Sequence, residues 1–96
     1  MNIGKTIKTC RTHKNIKQAR LANLAGISES YLSLIEQGKR DPNISTLEKI
    51  SEALKIPFSI LIFLAADKDE LKDINPALAE KLSYTALKLM EDDRDG

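Results

Sequence analysis

Small and apolar residues recur at regular spacing in QARLANLAGISESYLSLIEQGKRDP, residues 18–42. Leu21, Ala22 and Ala25 lie on one face of a predicted helix, because residues three and four positions apart meet on the same side. Gly26 follows directly, and glycine best tolerates the left-handed backbone that commonly ends a helix. This stretch therefore predicts a short helix that stops at a sharp turn.

A second helix is predicted directly after the turn. The Ser28 hydroxyl can accept from exposed N–H groups of the first helical turn, so this residue is a suitable cap. The helix is predicted to continue to about Gln37, and Gly38 stops it. Since Ala22 allows a close approach and Leu32 points back between the helices, the two helices are predicted to form one rigid pair. The outer face of the second helix is left free.

Helical periodicity extends over the rest of the chain, and no segment shows the sustained two-residue alternation of a strand. The predicted fold class is all-α, with six helices and a solvated tail at EDDRDG. Ser45 and Glu48 are predicted to form a capping box at the start of the fourth helix. The segment DKDELKD is predicted to be a charged connection or a frayed turn. The helices are predicted over about residues 2–13, 18–25, 28–37, 45–54, 57–67 and 75–90.

Length and composition narrow the class of protein further. A chain of 96 residues is long enough for one compact domain and too short for two ordinary cores. Cys10 is the only cysteine, so no disulfide can form within the chain, and a cytoplasmic location is predicted. The longest apolar run, residues 60–66, is much shorter than the roughly 20 residues of a membrane-spanning helix. No Cys/His cluster has metal-ligand spacing, and we expect no metal and no cofactor.

The net charge of +1 hides a difference between the two halves of the chain. Residues 1–40 contain eight Lys or Arg and two Glu, a charge of +6, whereas residues 41–96 contain seven Lys or Arg and twelve Asp or Glu, a charge of −5. The N-terminal half is the candidate for contact with a polyanion. Judged by charge alone, contact with a polyanion and a chance segregation of surface charges are about equally well supported.

The rigid helix pair has a shape that fits the major groove of B-DNA, with the second helix facing outward. Three segments, QARLANLAGIS, SESYLSLIEQGKRDP and TLEKISEAL, together resemble the Xre-type helix-turn-helix family of lambda-type repressors and Cro proteins. The resemblance covers about residues 3–66. It implies a five-helix lambda-repressor-like DNA-binding domain over residues 1–67. An additional C-terminal helix and an acidic tail then occupy residues 68–96.

The resemblance also implies which residues meet DNA. Serine can donate to or accept from several bases, and glutamate can accept from cytosine N4. Leu34 either touches a thymine methyl group or is an ordinary partly buried leucine, and the Tyr31 hydroxyl either reaches a phosphate or lies on the domain surface. An ion pair between Arg11 and Glu36 is expected to orient the first and third helices. The resemblance implies that bases are contacted by Glu29, Ser30, Ser33 and Leu34, and phosphates by Gln18, Ser28, Tyr31, Lys39, Arg40 and Asn43.

Direct base recognition by this helix is expected to be modest. Between Ser28 and Gly38 the only Arg, Lys, Asn or Gln is Gln37. The helix therefore lacks the bidentate arginine–guanine contact, which contributes about 1–3 kcal/mol. Specificity is expected to depend on DNA shape, paired half-sites and flanking basic residues. If the helix docked loosely, the Glu29 carboxylate would repel phosphates. We therefore expect Glu29 to discriminate against binding of the helix in a wrong register on the DNA.

The fifth predicted helix contains ILIFLAA, which is apolar on every side and must be covered on more than one face. Each large apolar side chain that is buried contributes about 1.5–3 kcal/mol, so several uncovered side chains favour a partner surface. These apolar side chains are covered by the sixth helix of the same chain, by the same surface of a second subunit, or by both together. A homodimer is predicted, and its interface is expected to contain Phe58, Leu61, Ile62, Leu64, Leu78 and Leu82.

The sequence therefore predicts a sequence-specific double-stranded DNA-binding transcriptional regulator, a repressor or autoregulator, that acts as a homodimer on a palindromic operator. One alternative is the antitoxin of a toxin–antitoxin pair, whose acidic C-terminal third would bind a basic protein partner. Another is a protein-interaction module that kept the fold without DNA affinity. An enzyme is not expected, because no nucleophile, base and orienting group recur at usable spacing and no glycine-rich phosphate loop is present.

Overall fold

The computed structural model describes residues 1–91 and, over those residues, contains helices and no strands. It confirms the all-α fold class, with a further long helix after the five-helix unit. None of the helices in this described part of the chain is long and apolar enough to cross a membrane. The tail predicted at EDDRDG lies, apart from Glu91, outside the described residues. The helices are α1 (Ile3–His13), α2 (Gln18–Ala25), α3 (Glu29–Glu36), α4 (Ile44–Leu54), α5 (Phe58–Ala65), α6 (Lys68–Leu71) and α7 (Pro76–Leu89).

The start of α4 differs from the prediction. Asn43 has an extended backbone, and its Oδ1 accepts a hydrogen bond from the N–H of Thr46 at 2.8 Å. The Asn43 side chain therefore satisfies an exposed N–H of the first turn and caps the helix. The predicted capping box of Ser45 and Glu48 is therefore wrong, because Ser45 already lies inside α4.

The core forms where α1 to α5 meet, and each of these helices contributes large buried side chains. Cys10 belongs to this core, and burial raises the pKa of its thiol. The thiol is therefore a neutral apolar contact and not a reactive thiolate. The most deeply buried side chains are Ile7, Cys10, Leu21, Leu32, Ile35, Ile50, Leu54 and Leu61.

The charged segment after α5 is more ordered than the prediction of a connection or frayed turn. Asp67 Oδ1 accepts from the N–H of Glu70 at 2.8 Å, and Glu70 Oε1 accepts from the N–H of Asp67 at 2.9 Å. This reciprocal capping box begins the short helix α6. The backbone N–H of Glu70 also lowers the pKa of the Asp67 carboxyl. The predicted boundary between the DNA-binding domain and the C-terminal extension falls at this cap.

Helix α7 packs on α5 of the same chain. Ala86 of α7 is 4% exposed and belongs to the core, and Leu82 lies half-buried against it. The assignment of Leu61 to a dimer interface is wrong, because its side chain is 0% exposed within a single chain. Since α5 is apolar on every side, sequence periodicity did not show which of its faces the core covers.

Helix α1 lies against the end of α3 at Gly4. A Cβ atom added at Gly4 would meet the backbone carbonyl oxygen of Ile35, and it would also approach the carbonyl of Glu36. Backbone atoms at the end of a packed helix have little room to move, so the absence of a side chain at this position permits the approach. Residue 4 therefore helps to set the distance between α1 and α3.

We expect Gly4→Ala to lower the free energy of unfolding by about 3 kcal/mol, because the added methyl group forces the two helices apart. Helix propensity alone predicts the opposite sign, a gain of about 1 kcal/mol. Urea denaturation followed by circular dichroism measures the difference. Lys8→Ala, on the exposed side of the same helix, serves as the control and should change stability by less than about 0.5 kcal/mol. An unchanged or increased stability of Gly4→Ala would contradict this role of the glycine.

Candidate nucleic-acid interface

The α2–α3 pair is built around a tight turn at Gly26. This residue has a φ angle of 71°, which glycine adopts without a Cβ clash. The N–H of Ile27 donates to the carbonyl of Ala22 at 3.0 Å, and Ser28 Oγ accepts from the N–H of Tyr31 at 3.0 Å. The end of α2 and the start of α3 are thus both closed by local hydrogen bonds, which fix the direction of one helix relative to the other.

The carboxylate of Glu36 joins three parts of the domain. Arg11 Nε donates to its Oε2 at 2.7 Å and Arg11 Nη2 to its Oε1 at 3.0 Å. Gln18 Nε2 donates to the same Oε1 at 3.1 Å, and Arg11 Nη1 donates to the carbonyl of Ile16 at 3.0 Å. The Glu36 side chain is only 3% exposed and that of Arg11 11%, so solvent screens the pair little. This network connects α1, the start of α2 and the end of α3.

The Arg11–Glu36 ion pair expected from the sequence is thus present, with two hydrogen bonds between the side chains. Gln18, expected to bind phosphate, is half-buried and uses its side-chain nitrogen to bond Glu36. That nitrogen carries two hydrogens, so one donor remains for a further acceptor. No periodic pattern indicates this bond, because the two residues lie 18 positions apart.

The outer face of α3 carries the residues predicted to contact bases. Glu29 and Ser30 are exposed in the first turn, and Ser33 and Leu34 are half-buried farther along the helix. Gln37 Nε2 donates to Ser33 Oγ at 2.8 Å, which leaves the Ser33 hydroxyl proton available for another acceptor. This contact has the helical i, i+4 spacing and could therefore have been predicted from the sequence. The surface offers one carboxylate, two hydroxyl groups and an apolar side chain.

Two residues predicted to bind phosphate are helix caps. The Ser28 hydroxyl caps α3 and the Asn43 amide oxygen caps α4. Each cap accepts with an oxygen and keeps a polar hydrogen, the hydroxyl proton of serine or the amide protons of asparagine. Capping therefore fixes both side chains at the surface without using their donor groups.

The turn after α3 presents two exposed cationic side chains, those of Lys39 and Arg40. Gly38 has a φ angle of 76°, and the N–H groups of Lys39 and Arg40 donate to the carbonyl of Leu34 at 2.9 and 3.3 Å. The Arg40 Cζ atom lies 5.6 Å from the centre of the Tyr31 ring. This contact joins the loop to the first turn of α3, and no periodic pattern in the sequence links the two residues.

The sequence profile of the helix-turn-helix family matches residues 7–61, more than half of the chain. The chain therefore belongs to this family, in agreement with the Xre-type resemblance of its motifs. The match covers α2, α3 and α4 completely, and it includes most of α1 and the first turn of α5.

Curated relatives of the chain are named as repressors. The immunity repressor protein of Bacillus phage phi105 is 39% identical over 62 residues, which are 65% of this chain and 43% of that protein. The HTH-type transcriptional repressor RghR of Bacillus subtilis (strain 168) is 33% identical over 73 residues, 75% of this chain and 54% of that protein. The chain thus spans about half the length of these relatives.

Two solved structures resemble the fold. The restriction-modification controller protein C.AhdI from Aeromonas hydrophila superimposes with a TM-score of 0.61 and 32% identity, and the match covers 62% of this chain and 91% of that chain. The clp gene regulator ClgR from Corynebacterium glutamicum gives a TM-score of 0.67 over 88% of this chain and 89% of that chain, with 24% identity. The second likeness concerns the fold alone, and it extends well beyond the five-helix unit.

The Glu36 network predicts a large stability effect. Glu36→Ala would leave the Arg11 guanidinium buried without its counter-charge, and breaking a buried ion pair in this way costs about 3–5 kcal/mol. The free energy of unfolding from urea titration is the measurement. Glu29→Ala removes the same side chain from an exposed position of α3 and should change stability by less than about 0.5 kcal/mol. Equal effects of the two substitutions would show that the network does not hold the helices together.

Proposed function

We propose that the chain binds double-stranded DNA sequence-specifically and regulates transcription as a repressor or autoregulator. The observation that carries this proposal is the combination of a rigid α2–α3 pair with an exposed polar first turn on α3. Glu29 and Ser30 lie there with unobstructed side chains. Membership of the helix-turn-helix family supports the proposal, as do relatives that are named repressors.

In the proposed complex α3 lies in the major groove with its first turn against the base edges. Ser30 and Ser33 donate to or accept from bases, and Glu29 accepts from cytosine N4. The residues around the helix bind the sugar–phosphate backbone. Lys39 and Arg40 supply charge after α3, and the remaining donor of Gln18 acts together with the N-terminus of α2. Because these contacts neutralise phosphates, affinity falls as the salt concentration rises.

We further propose that the chain acts as a homodimer through a surface formed by α5 and α7. This α5–α7 surface consists of Phe58, Ile62, Leu64, Leu78 and Leu82. All except Leu78 are half-buried in a single chain, and Leu78 is 50% exposed. Two copies related by a two-fold axis would cover these side chains and would present two α3 helices to inverted half-sites.

Selection of bound sequences from random duplexes tests the proposed activity. The expected result is an enriched palindrome whose half-sites are separated by about 34 Å, one turn of B-DNA. A selection that enriches nothing, even at low salt where phosphate contacts are strongest, would contradict DNA binding. A single enriched half-site without a symmetric mate would contradict the homodimer.

The role of Glu29 is tested by Glu29→Ala. We expect weaker discrimination between the selected operator and unrelated duplexes, by about 1–3 kcal/mol, because one base contact is lost while repulsion from wrong sites is relieved. Fluorescence anisotropy with both kinds of duplex provides the two dissociation constants. Glu52→Ala removes an exposed carboxylate at the far end of α4 and should leave the ratio unchanged. Equal tightening on every duplex after Glu29→Ala would exclude a role in discrimination.

The α5–α7 surface is tested by Leu78→Glu. In a two-fold dimer the substitution removes one leucine from each subunit, and each buried leucine contributes about 1.5–3 kcal/mol. The dimer dissociation constant should therefore rise more than a hundredfold. Sedimentation velocity at micromolar concentration should then show a monomer. Leu24→Glu is the matched control, since Leu24 is 48% exposed and lies on α2, away from this surface. A wild-type chain that is itself monomeric would refute the homodimer.

A further inference from the structure

Arg40 is connected to α3 at two points. Its backbone N–H donates to the carbonyl of Leu34, in the second half of the helix, at 3.3 Å. Its Cζ lies 5.6 Å from the ring centre of Tyr31, in the first turn, within the distance at which a guanidinium is attracted to an aromatic face. The arginine side chain therefore runs back along α3 toward the turn that carries Glu29 and Ser30.

This placement supplies a charge that α3 itself lacks. The helix sequence ESYLSLIE contains no arginine and no lysine. Tyr31 is half-buried and packs against the hydrophobic core, so its ring is a fixed platform, whereas Arg40 is exposed. A guanidinium whose carbon lies over an aromatic ring still presents N–H groups at its edge. The guanidinium beside α3 is thus held in place and open to a ligand.

We infer that Tyr31 is a positioning residue, which acts through its ring by ordering Arg40 for a bidentate contact with a DNA phosphate next to the first turn of α3. This inference rests on the proposed DNA binding and differs from the earlier expectation that the tyrosine hydroxyl itself binds phosphate. Ordering matters because a free arginine side chain loses considerable rotamer entropy on binding. The planar guanidinium matches two phosphate oxygens at once.

The test uses the selected operator duplex, with affinity measured by fluorescence anisotropy over a range of salt concentrations. Tyr31→Phe keeps the ring and should bind within twofold of the wild type. Tyr31→Leu removes it and should weaken binding about two- to fivefold, the effect of an exposed cation–π contact. Arg40→Ala should weaken binding to all duplexes alike and reduce the salt slope by about one.

The decisive comparison is the double variant. If the ring acts only through Arg40, Tyr31→Leu combined with Arg40→Ala should bind no more weakly than Arg40→Ala alone. Unchanged midpoints of thermal unfolding show that the single variants keep their fold. If Tyr31→Leu is unstable, Tyr31→Phe can still overturn the inference, because a loss of affinity there would assign the role to the hydroxyl group.

A second cation–π pair in the chain provides the control. Lys88 Nζ lies 5.9 Å from the ring centre of Tyr84 on α7, and both residues are exposed. Tyr84→Leu should leave operator affinity unchanged. A loss with Tyr31→Phe as large as that with Tyr31→Leu, or additive losses in the double variant, would overturn the positioning role. A wild-type chain that binds no duplex at low salt would overturn this inference and the proposed function together.

Discussion

The buried carboxylate of Glu36 is the contact on which the arrangement of this domain depends. It is the last residue of α3, and it accepts hydrogen bonds from Arg11 of α1 and Gln18 of α2. A buried ion pair adds little net stability compared with an apolar cluster, but it accepts only one geometry, because an unpaired buried charge is costly. The pair therefore fixes orientation, while the apolar core around Leu21, Leu32 and Ile35 supplies most of the stabilisation.

The proposed function follows from the side chains that this arrangement leaves exposed on α3 and on the turn after it. One side of α3 is buried, and the other carries a carboxylate and hydroxyl groups that are too short and too few to recognise many bases alone. Charge comes from the turn after the helix, where Lys39 and Arg40 are exposed. The proposed recognition is thus divided between weak base contacts, positioned phosphate contacts and the repetition of both by a second subunit.

Much of this structure was predictable from the sequence, because helices follow from periodicity and from cap residues that act locally. Gly26 and Ser28 predicted the turn correctly, whereas Asn43 and Ser45 are both good cap residues and local preference alone did not choose between them. Leu61 was misassigned because an entirely apolar helix does not show which face is buried. The Gln18–Glu36 bond and the Tyr31–Arg40 contact join residues on different elements, so only the folded chain reveals them. The base and phosphate contacts at the candidate site stay predictions.

We propose that α3 and the turn after it form the surface that meets duplex DNA. Amide chemical-shift mapping by NMR, with the chain saturated by an operator duplex, locates this surface residue by residue. We expect the largest shifts for α3, for the turn from Gly38 to Asn43 and for the start of α2, with little change in α6. Shifts confined to α5, α6 and α7, with α3 unaffected by saturating DNA, would contradict it.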